Sequence, residues 1–433
     1  MDRRHAIEHS LPFPMRAPRN RRVFVIGRAA RTALGATAEA TWERAAANQS
    51  GLRELSRCKV GSTMIVGEIP GRQPDRYAFD TAKERHNWGA AYVLETIAIC
   101  QDALTHAKLP MNGETGPRTA CLIGSAINGS DNLREAFVRY GNIGANGVSP
   151  FLLPNICANV PSGKAGAVLG FTGPIFSPQG ACASGNHAIG LGSRMVRDGD
   201  VDFAVVGGVE MPLIPEIVLG FANMNASFKL RNSDRAFTDP GQASRPFSLD
   251  RRGFVLAEAA AAVVLAAEDA VATHGLRPIA EIAGIGWTSD AHHFTRPNQP
   301  TVARAMREAL LDAEIDAGAI DSVNAHGTST PTGDAVEVSC LREIFGERLA
   351  KLPISANKSQ VGHSLGAAAA VEAVLALLAL EHQTVLPTLN YLPDPELTGA
   401  DFVTKSRPHP HEFVLSNSFG FGGTNCCIVL RGV

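Results

Sequence analysis

Long apolar runs are missing from this chain. No stretch of 18 or more uninterrupted apolar residues occurs in its 433 residues, so no membrane span is expected. Net charge is small: 40 Lys and Arg against 42 Asp and Glu leave −2, with a pI near 6.7. That balance argues against a nucleic-acid surface. Cysteine is sparse, and the eight residues form no CxxC pair. They are Cys58, Cys100, Cys121, Cys157, Cys182, Cys340, Cys426 and Cys427. Most sit in apolar runs, where the thiol behaves as a small hydrophobe. This is the usage of a reduced, cytoplasmic protein, and the spacing supports no metal site. Residues 1–21 are rich in Arg, Pro and His and lack an apolar h-region. They read as a basic flexible tail, not a secretory signal. No Ser/Gly-rich linker and no second enzyme domain are visible.

The apolar content is ample for a large core. Apolar runs that read as strands (Val23–Gly27, Ala120–Gly124, Asp202–Gly208, Ala260–Leu265) alternate with helical patterns (Trp88–Ala107, Ser184–Arg197, Gly366–Glu381). Alternation of this kind indicates an α/β architecture. A loop, Cys182, an alanine-rich helix and a strand in the first half parallel a loop, His363, an alanine-rich helix and a strand in the second.

Cys182 stands in Gly180-Ala181-Cys182-Ala183-Ser184-Gly185, immediately before a helical pattern. Small residues on both sides suggest a tight strand-to-helix turn. A thiol at a helix N-terminus has its thiolate stabilised by free backbone N–H groups and the helix dipole, which suits covalent catalysis. Read alone, the same residue also fits a buried, inert cysteine. Two histidines lie in glycine-rich loops that open helices, in Asn324-Ala325-His326-Gly327-Thr328-Ser329-Thr330 and Asn357-Lys358-Ser359-Gln360-Val361-Gly362-His363. With Cys182 they look like a Cys-His-His set. The segment Asn417-Ser418-Phe419-Gly420-Phe421-Gly422-Gly423-Thr424-Asn425 has glycines that let backbone N–H groups approach a ligand, as an oxyanion hole needs.

In these four motifs, in their order and spacing, the chain resembles the elongating β-ketoacyl-acyl-carrier-protein synthases. These are the type I/II condensing enzymes of fatty acid and polyketide synthesis. The resemblance runs from about Arg22 to Val433. It extends to Ser289-Asp290-Ala291-His292-His293-Phe294-Thr295, Arg245-Pro246-Phe247 and Arg252-Gly253-Phe254-Val255. It implies a thiolase-like fold of two pseudo-symmetric βαβ-type halves in an α-β-α-β-α layering. The halves would be residues 22–270, with the cysteine, and 271–433, with the histidines.

The resemblance also implies roles. Cys182 would take an acyl group from a carrier thioester, and His326 and His363 would hydrogen-bond the malonyl carbonyl as carbon dioxide leaves. Lys358 would organise the site, with Glu372 as its buried partner. Asp334 and Glu337 match supporting positions, although either also suits capping of a helix. Thr295, Thr328 and Thr330 match contacts to the phosphopantetheine arm, although they also suit turn chemistry. The backbone N–H groups of Cys182 and Phe421 would form the oxyanion hole. Phe419 and Phe421 resemble an aromatic gate, and Ile127 matches a position lining the acyl pocket. No permanent cofactor is implied. The partners would be an acyl carrier protein and a second subunit, either another copy or a chain-length-factor-like chain of a type II polyketide or polyene pathway. A non-catalytic chain-length factor is disfavoured by the presence of Cys182. A thiolase is disfavoured because Cys426 and Cys427 lack the setting of a second catalytic cysteine.

Two departures stand out. Ala257-Glu258-Ala259-Ala260-Ala261 stands where the family usually shows glycines around an acid. The stretch Phe228 to Pro240 also looks about five residues longer than in the common fatty-acid enzymes. Both suggest a specialised branch and put the substrate in doubt more than the reaction.

Overall fold

The computed structural model describes residues 21–71, 90–127, 129–230 and 239–433. The basic tail, the Trp88 start of the first helical pattern and most of the lengthened stretch, residues 231–238, lie outside the described residues.

The strands of the first half are β1 (Val23–Arg31), β2 (Thr119–Gly124), β3 (Ile175–Phe176), β4 (Phe203–Glu210) and β5 (Ala259–Ala267). Those of the second are β6 (Ala280–Ser289), β7 (Ser322–Asn324), β8 (Pro353–Ser355), β9 (Asp401–Phe402), β10 (Phe413–Gly420) and β11 (Thr424–Gly432). All belong to one mixed sheet, ordered β3-β2-β4-β5-β1-β6-β11-β10-β7-β8-β9. The two halves repeat one pattern. In the first, β2 pairs parallel with β3 and β4, while β5 runs antiparallel to both β4 and β1. In the second, β7 pairs parallel with β8 and β10, while β11 runs antiparallel to both β10 and β6. Strand β9 adds an edge to the second half. The halves join through two pairs, Phe24 with Glu281 and Val25 with Ala280.

Strands β1, β4 and β5 are buried at every position. Helices cover both their faces, so their sequences read as continuous apolar runs and do not alternate. The principal helices are α1 (Ala91–Ala107), α2 (Val160–Leu169), α3 (Ser184–Asp198), α4 (Gln299–Asp312), α5 (Pro331–Phe345) and α6 (Ala368–His382). Helices α1 and α2 cover the outside of the first half, and α4 and α5 the outside of the second. Helices α3 and α6 touch strands of both halves. The layering is therefore α-β-α-β-α, as the resemblance implies.

Helix α6 is buried from Ala368 through Leu380. The run Leu365–His382 is apolar enough to cross a membrane by composition, with mean hydropathy 1.6, yet it is 89% buried inside the protein. A helix that is apolar all round is a core helix when other elements enclose it.

The central helices meet at their N-termini. A Cβ placed on Gly185 would lie 2.5 Å from the Ala370 backbone nitrogen. Each helix is entered through a 3-10 turn, Ala181–Ala183 or Leu365–Ala367. Each turn starts on a non-glycine residue with positive φ, 47° at Ala181 and 43° at Leu365. Such residues are uncommon and hold only where the surroundings over-determine them. The parallel between the two halves is thus present at the level of single turns.

The alanine-rich departure finds its space in facing glycines. A Cβ on Gly67 would lie 2.7 Å from the Ala257 Cβ, and one on Gly362 would lie 2.8 Å from it. Gly67→Ala should therefore destabilise the protein by about 1–3 kcal/mol through overpacking. Adding Ala257→Gly should recover part of that loss. Urea denaturation of the single and double variants checks both; additive losses would mean that these positions do not share one space.

Candidate active site

The turn carrying Cys182 is fixed by side chains from both halves. The Thr424 hydroxyl donates to the Gly180 carbonyl at 2.7 Å, and the Ser418 hydroxyl donates to the Cys182 carbonyl at 3.0 Å. Ser184 donates to the Ala181 carbonyl and accepts from the Gly180 N–H. So held, the thiol lies at the N-terminus of α3, where the backbone N–H groups of Phe421 and of Cys182 itself favour its thiolate. The sequence suggests an acidified thiol, and the structure corrects this. Cys182 is only 7% exposed. Burial pushes its pKa up to about 12, against the opposing pull of Lys358 and the two N–H groups. Desolvation of the thiolate outweighs the helix terminus.

His363 follows the short helix Lys358–Val361. Its backbone is pinned on both sides: its N–H donates to the Val255 carbonyl at 2.6 Å, and its carbonyl accepts from the Ala257 N–H at 3.0 Å. The ring then places Nε2 3.1 Å from the Cys182 sulfur. His326 follows β7, and its ring meets that of His363 edge-on at 5.8 Å between centroids. Both rings are held neutral. Burial and the Lys358 charge depress both histidines well below the ordinary imidazole value, and His363 adds to the effect on His326.

Lys358 is 1% exposed. Its ammonium donates to Glu372 Oε1 at 2.5 Å and to the His326 carbonyl at 2.7 Å, and it lies 3.4 Å from His326 Nδ1. An ammonium has no acceptor, so Nδ1 of His326 accepts and the ring proton is on Nε2. Burial pushes the Glu372 carboxyl up to about 7, while Lys358 pulls it back. The sequence pairing of Lys358 with Glu372 is realised as a buried ion pair.

Asp334 and Glu337 do not serve the start of their own helix alone. Glu337 accepts from the N–H groups of His326 and Gly327 at 2.9 and 2.8 Å, and from the Asn417 amide at 3.1 Å. Asp334 accepts from the N–H groups of Phe247, Thr328 and Thr330. Both carboxylates shape the loop that presents His326.

These groups border a cavity of about 610 Å³. Cys182, His326, His363, Ile127, Thr295, Thr328, Thr330, Phe419 and Phe421 all lie on its wall. Lys358, Glu372, Asp334 and Glu337 stand behind it. Thr328 and Thr330 bond each other through their hydroxyls at 2.9 Å, and the Thr295 N–H donates to His293 Nδ1 at 3.1 Å. The Phe419 ring meets His326 edge-on at 5.3 Å, and Phe421 lies tilted against the exposed Phe294 at 6.0 Å. Cys426 and Cys427 are buried within β11, consistent with a packing role. Among the described residues no cluster of His, Cys, Asp or Glu could hold a metal ion.

Sequence reasoning missed three contributors. Phe254 meets His363 edge-on at 5.0 Å, and its motif had been noted without a role. Ser418 fixes the nucleophile's carbonyl, which nothing in its residue type announces. Glu210, a carboxylate ending an otherwise apolar strand, is fully buried beside the cavity.

The comparisons with known proteins concern the chain as a whole. Residues 20–270 match the family described as Beta-ketoacyl synthase, N-terminal domain, and residues 279–392 match Beta-ketoacyl synthase, C-terminal domain. A curated relative from Coxiella burnetii, a 3-oxoacyl-acyl-carrier-protein synthase 2, is 34% identical over 95% of this chain and 99% of its own. Two solved structures superpose closely. One is described as a type II PKS acyl-carrier protein in complex with its ketosynthase bound to the hexaketide. It has a TM-score of 0.87 and 26% identity, over 96% of this chain and 100% of that one. The other is the ishigamide ketosynthase/chain length factor, with a TM-score of 0.86 and 28% identity, again over 96% and 100%.

The buried ion pair gives a direct test. Glu372→Ala would strand the Lys358 ammonium, which should destabilise the protein by about 3–5 kcal/mol, with a smaller loss in Glu372→Gln. Calorimetry and urea denaturation measure this. Wild-type stability in Glu372→Ala would show that the pair is not what holds Lys358.

Proposed function

The chain belongs to the beta-ketoacyl synthase family, and from that premise we propose that its cavity carries out a decarboxylating Claisen condensation on Cys182. The product is a β-ketoacyl group on an acyl carrier protein, in fatty acid or polyketide synthesis. The observation that carries the residue roles is the 3.1 Å approach of His363 Nε2 to the Cys182 sulfur, with neutral His326 across the cavity.

In the first half-reaction the sulfur attacks the thioester of an acyl carrier. Its proton passes to the departing phosphopantetheine thiol as the new carbon–sulfur bond forms and the old one breaks. Negative charge develops on the acyl oxygen, and the N–H groups of Cys182 and Phe421 are placed to receive it. Acylation also removes the thiol that burial keeps protonated.

In the second half-reaction a malonyl group enters on its carrier arm between Thr295, Thr328 and Thr330. Loss of carbon dioxide leaves an electron pair delocalised onto the thioester oxygen. His326 Nε2–H and His363 donate to that oxygen. The carbon then attacks the acyl group on Cys182, and the thiolate leaves and takes back a proton. Neutral imidazoles suit this role because they donate without adding a second buried positive charge to Lys358.

The second subunit is part of this reading. The helix Ser130–Ile143 exposes Phe137, Tyr140 and Ile143 at 68%, 58% and 58%, and edge strand β3 exposes Phe176 at 55%. Exposed apolar side chains on a helix, and an open sheet edge, each mark an interaction surface. We assign both to a two-fold partner, either a second copy or a chain-length-factor-like chain. Similarity to the ishigamide ketosynthase/chain length factor favours keeping the second possibility in the test. Cys182, His326 and His363 all face one cavity, which argues against a non-catalytic role.

Two tests follow. Cys182→Ala should take no acyl group by intact-protein mass spectrometry, whereas His326→Ala should load normally but decarboxylate malonyl carrier roughly 100- to 1,000-fold more slowly. Equal, modest losses in both half-reactions would remove the separate roles. Sedimentation should show a dimer, or a monomer that dimerises only with a chain-length-factor-like protein, and Phe137→Arg should disrupt either form. A fully active monomer would overturn the assembly assignment.

A further inference from the structure

Glu210 ends β4 and is fully buried. Its Oε1 accepts from the Ser125 hydroxyl at 3.0 Å and the Ile127 N–H at 3.1 Å. Its Oε2 accepts from the Ala126 N–H at 2.7 Å and the Gly366 N–H at 3.0 Å. The donors come from two segments remote in sequence. Residues 125–127 follow β2 and carry Ile127 to the cavity wall. Gly366 belongs to the turn that opens α6, just after His363, and its neighbour Leu365 is on the same wall. The segments are in contact: a Cβ on Gly366 would lie 2.5 Å from the Ala126 nitrogen and 2.8 Å from Glu210 Oε2.

The geometry specifies a carboxylate, not any polar group. Both oxygens face donors, three backbone N–H groups and a hydroxyl, and a carboxyl offers acceptor capacity at both. An apolar residue would leave three buried N–H groups unpaired, each a desolvation penalty. A glutamine would turn its NH2 group toward at least one backbone N–H, Ile127 or the Ala126 and Gly366 pair, so one segment would have to move. Burial pushes the Glu210 carboxyl up to about 7, and its donors oppose that shift.

We propose that Glu210 is a positioning residue that sets acyl-chain selectivity by holding the Ile127 wall against the His363–Leu365 turn. The inference rests on the condensing reading of the cavity. A loosened Ile127 wall enlarges the acyl end of the pocket while leaving the Cys182 sulfur and its N–H donors in place. Selectivity for chain length then shifts more than turnover of the shortest substrate. One methylene in an apolar pocket changes discrimination by roughly 10- to 200-fold, so small wall movements are readable.

The test compares wild type with Glu210→Gln across carriers loaded with acyl chains of increasing length. Acylation of Cys182 is followed by intact mass and condensation by kcat/KM. Glu210→Gln should raise the long-to-short ratio of kcat/KM roughly tenfold, with short-chain acylation retained. Ser125→Ala removes one donor and nothing else. It should move the ratio the same way by less, and it decides the matter if Glu210→Gln does not fold. Amide exchange at Ala126, Ile127 and Gly366 should rise together in Ser125→Ala. An unchanged ratio in the folded variants overturns the role of Glu210, whereas a wild-type protein that never acylates Cys182 overturns the condensing reading itself.

Discussion

The approach of two helix backbones, Gly185 of α3 against Ala370 of α6, is the constraint on which the rest depends. Each helix belongs to one half of a duplicated sheet, and each starts on a 3-10 turn with a strained first residue. Bringing the two starts together places the cysteine of one half within hydrogen-bond reach of the histidine of the other. Neither half holds a complete set alone. The first supplies Cys182, and the second supplies both histidines, Lys358 and the Phe421 N–H. Wider spacing at Gly185 would separate Cys182 from His363 before it disturbed either sheet.

Electrostatics follows from burial around that contact. Lys358 is the positive charge beside the two histidines, and Glu372 neutralises it. Its field lowers both histidines and opposes the rise of the thiol. The resting site therefore holds neutral imidazoles and a protonated thiol. Charge has to develop during reaction, and the donors already point to where it develops. That arrangement avoids reorganisation at the moment of reaction.

The sequence was legible where chemistry depends on side-chain identity. Cys182, His326, His363 and Lys358 stand out by residue type and loop setting, the resemblance supplied the roles expected of them, and the pairing of Lys358 with Glu372 follows from a charge set among alanines. Legibility ended where backbone or burial decides. The thiol's raised pKa was missed because burial of Cys182 cannot be read from Gly180 or Ser184. Glu210 was missed because its partners are mostly backbone N–H groups from residues far along the chain. Strands such as Ile175–Phe176 and Ser322–Asn324 are too short to show a period, so the common strand order of the two halves emerged only from the pairing. The alanines of β5 gave a strand but not its central place between β1 and β4.

The alanine-rich departure can now be located. None of Ala257, Ala259, Ala260 and Ala261 is among the described residues that border the cavity. Ala257 instead donates to the His363 carbonyl and fills the space between Gly67 and Gly362. Ala257 therefore backs His363, and the segment does not border the cavity. Apolar residues that do border the cavity include Ile127, Phe221, Met224 and Leu365. Two of the four stand on the segments that Glu210 holds together, so the proposed control of chain length by that carboxylate acts through those walls.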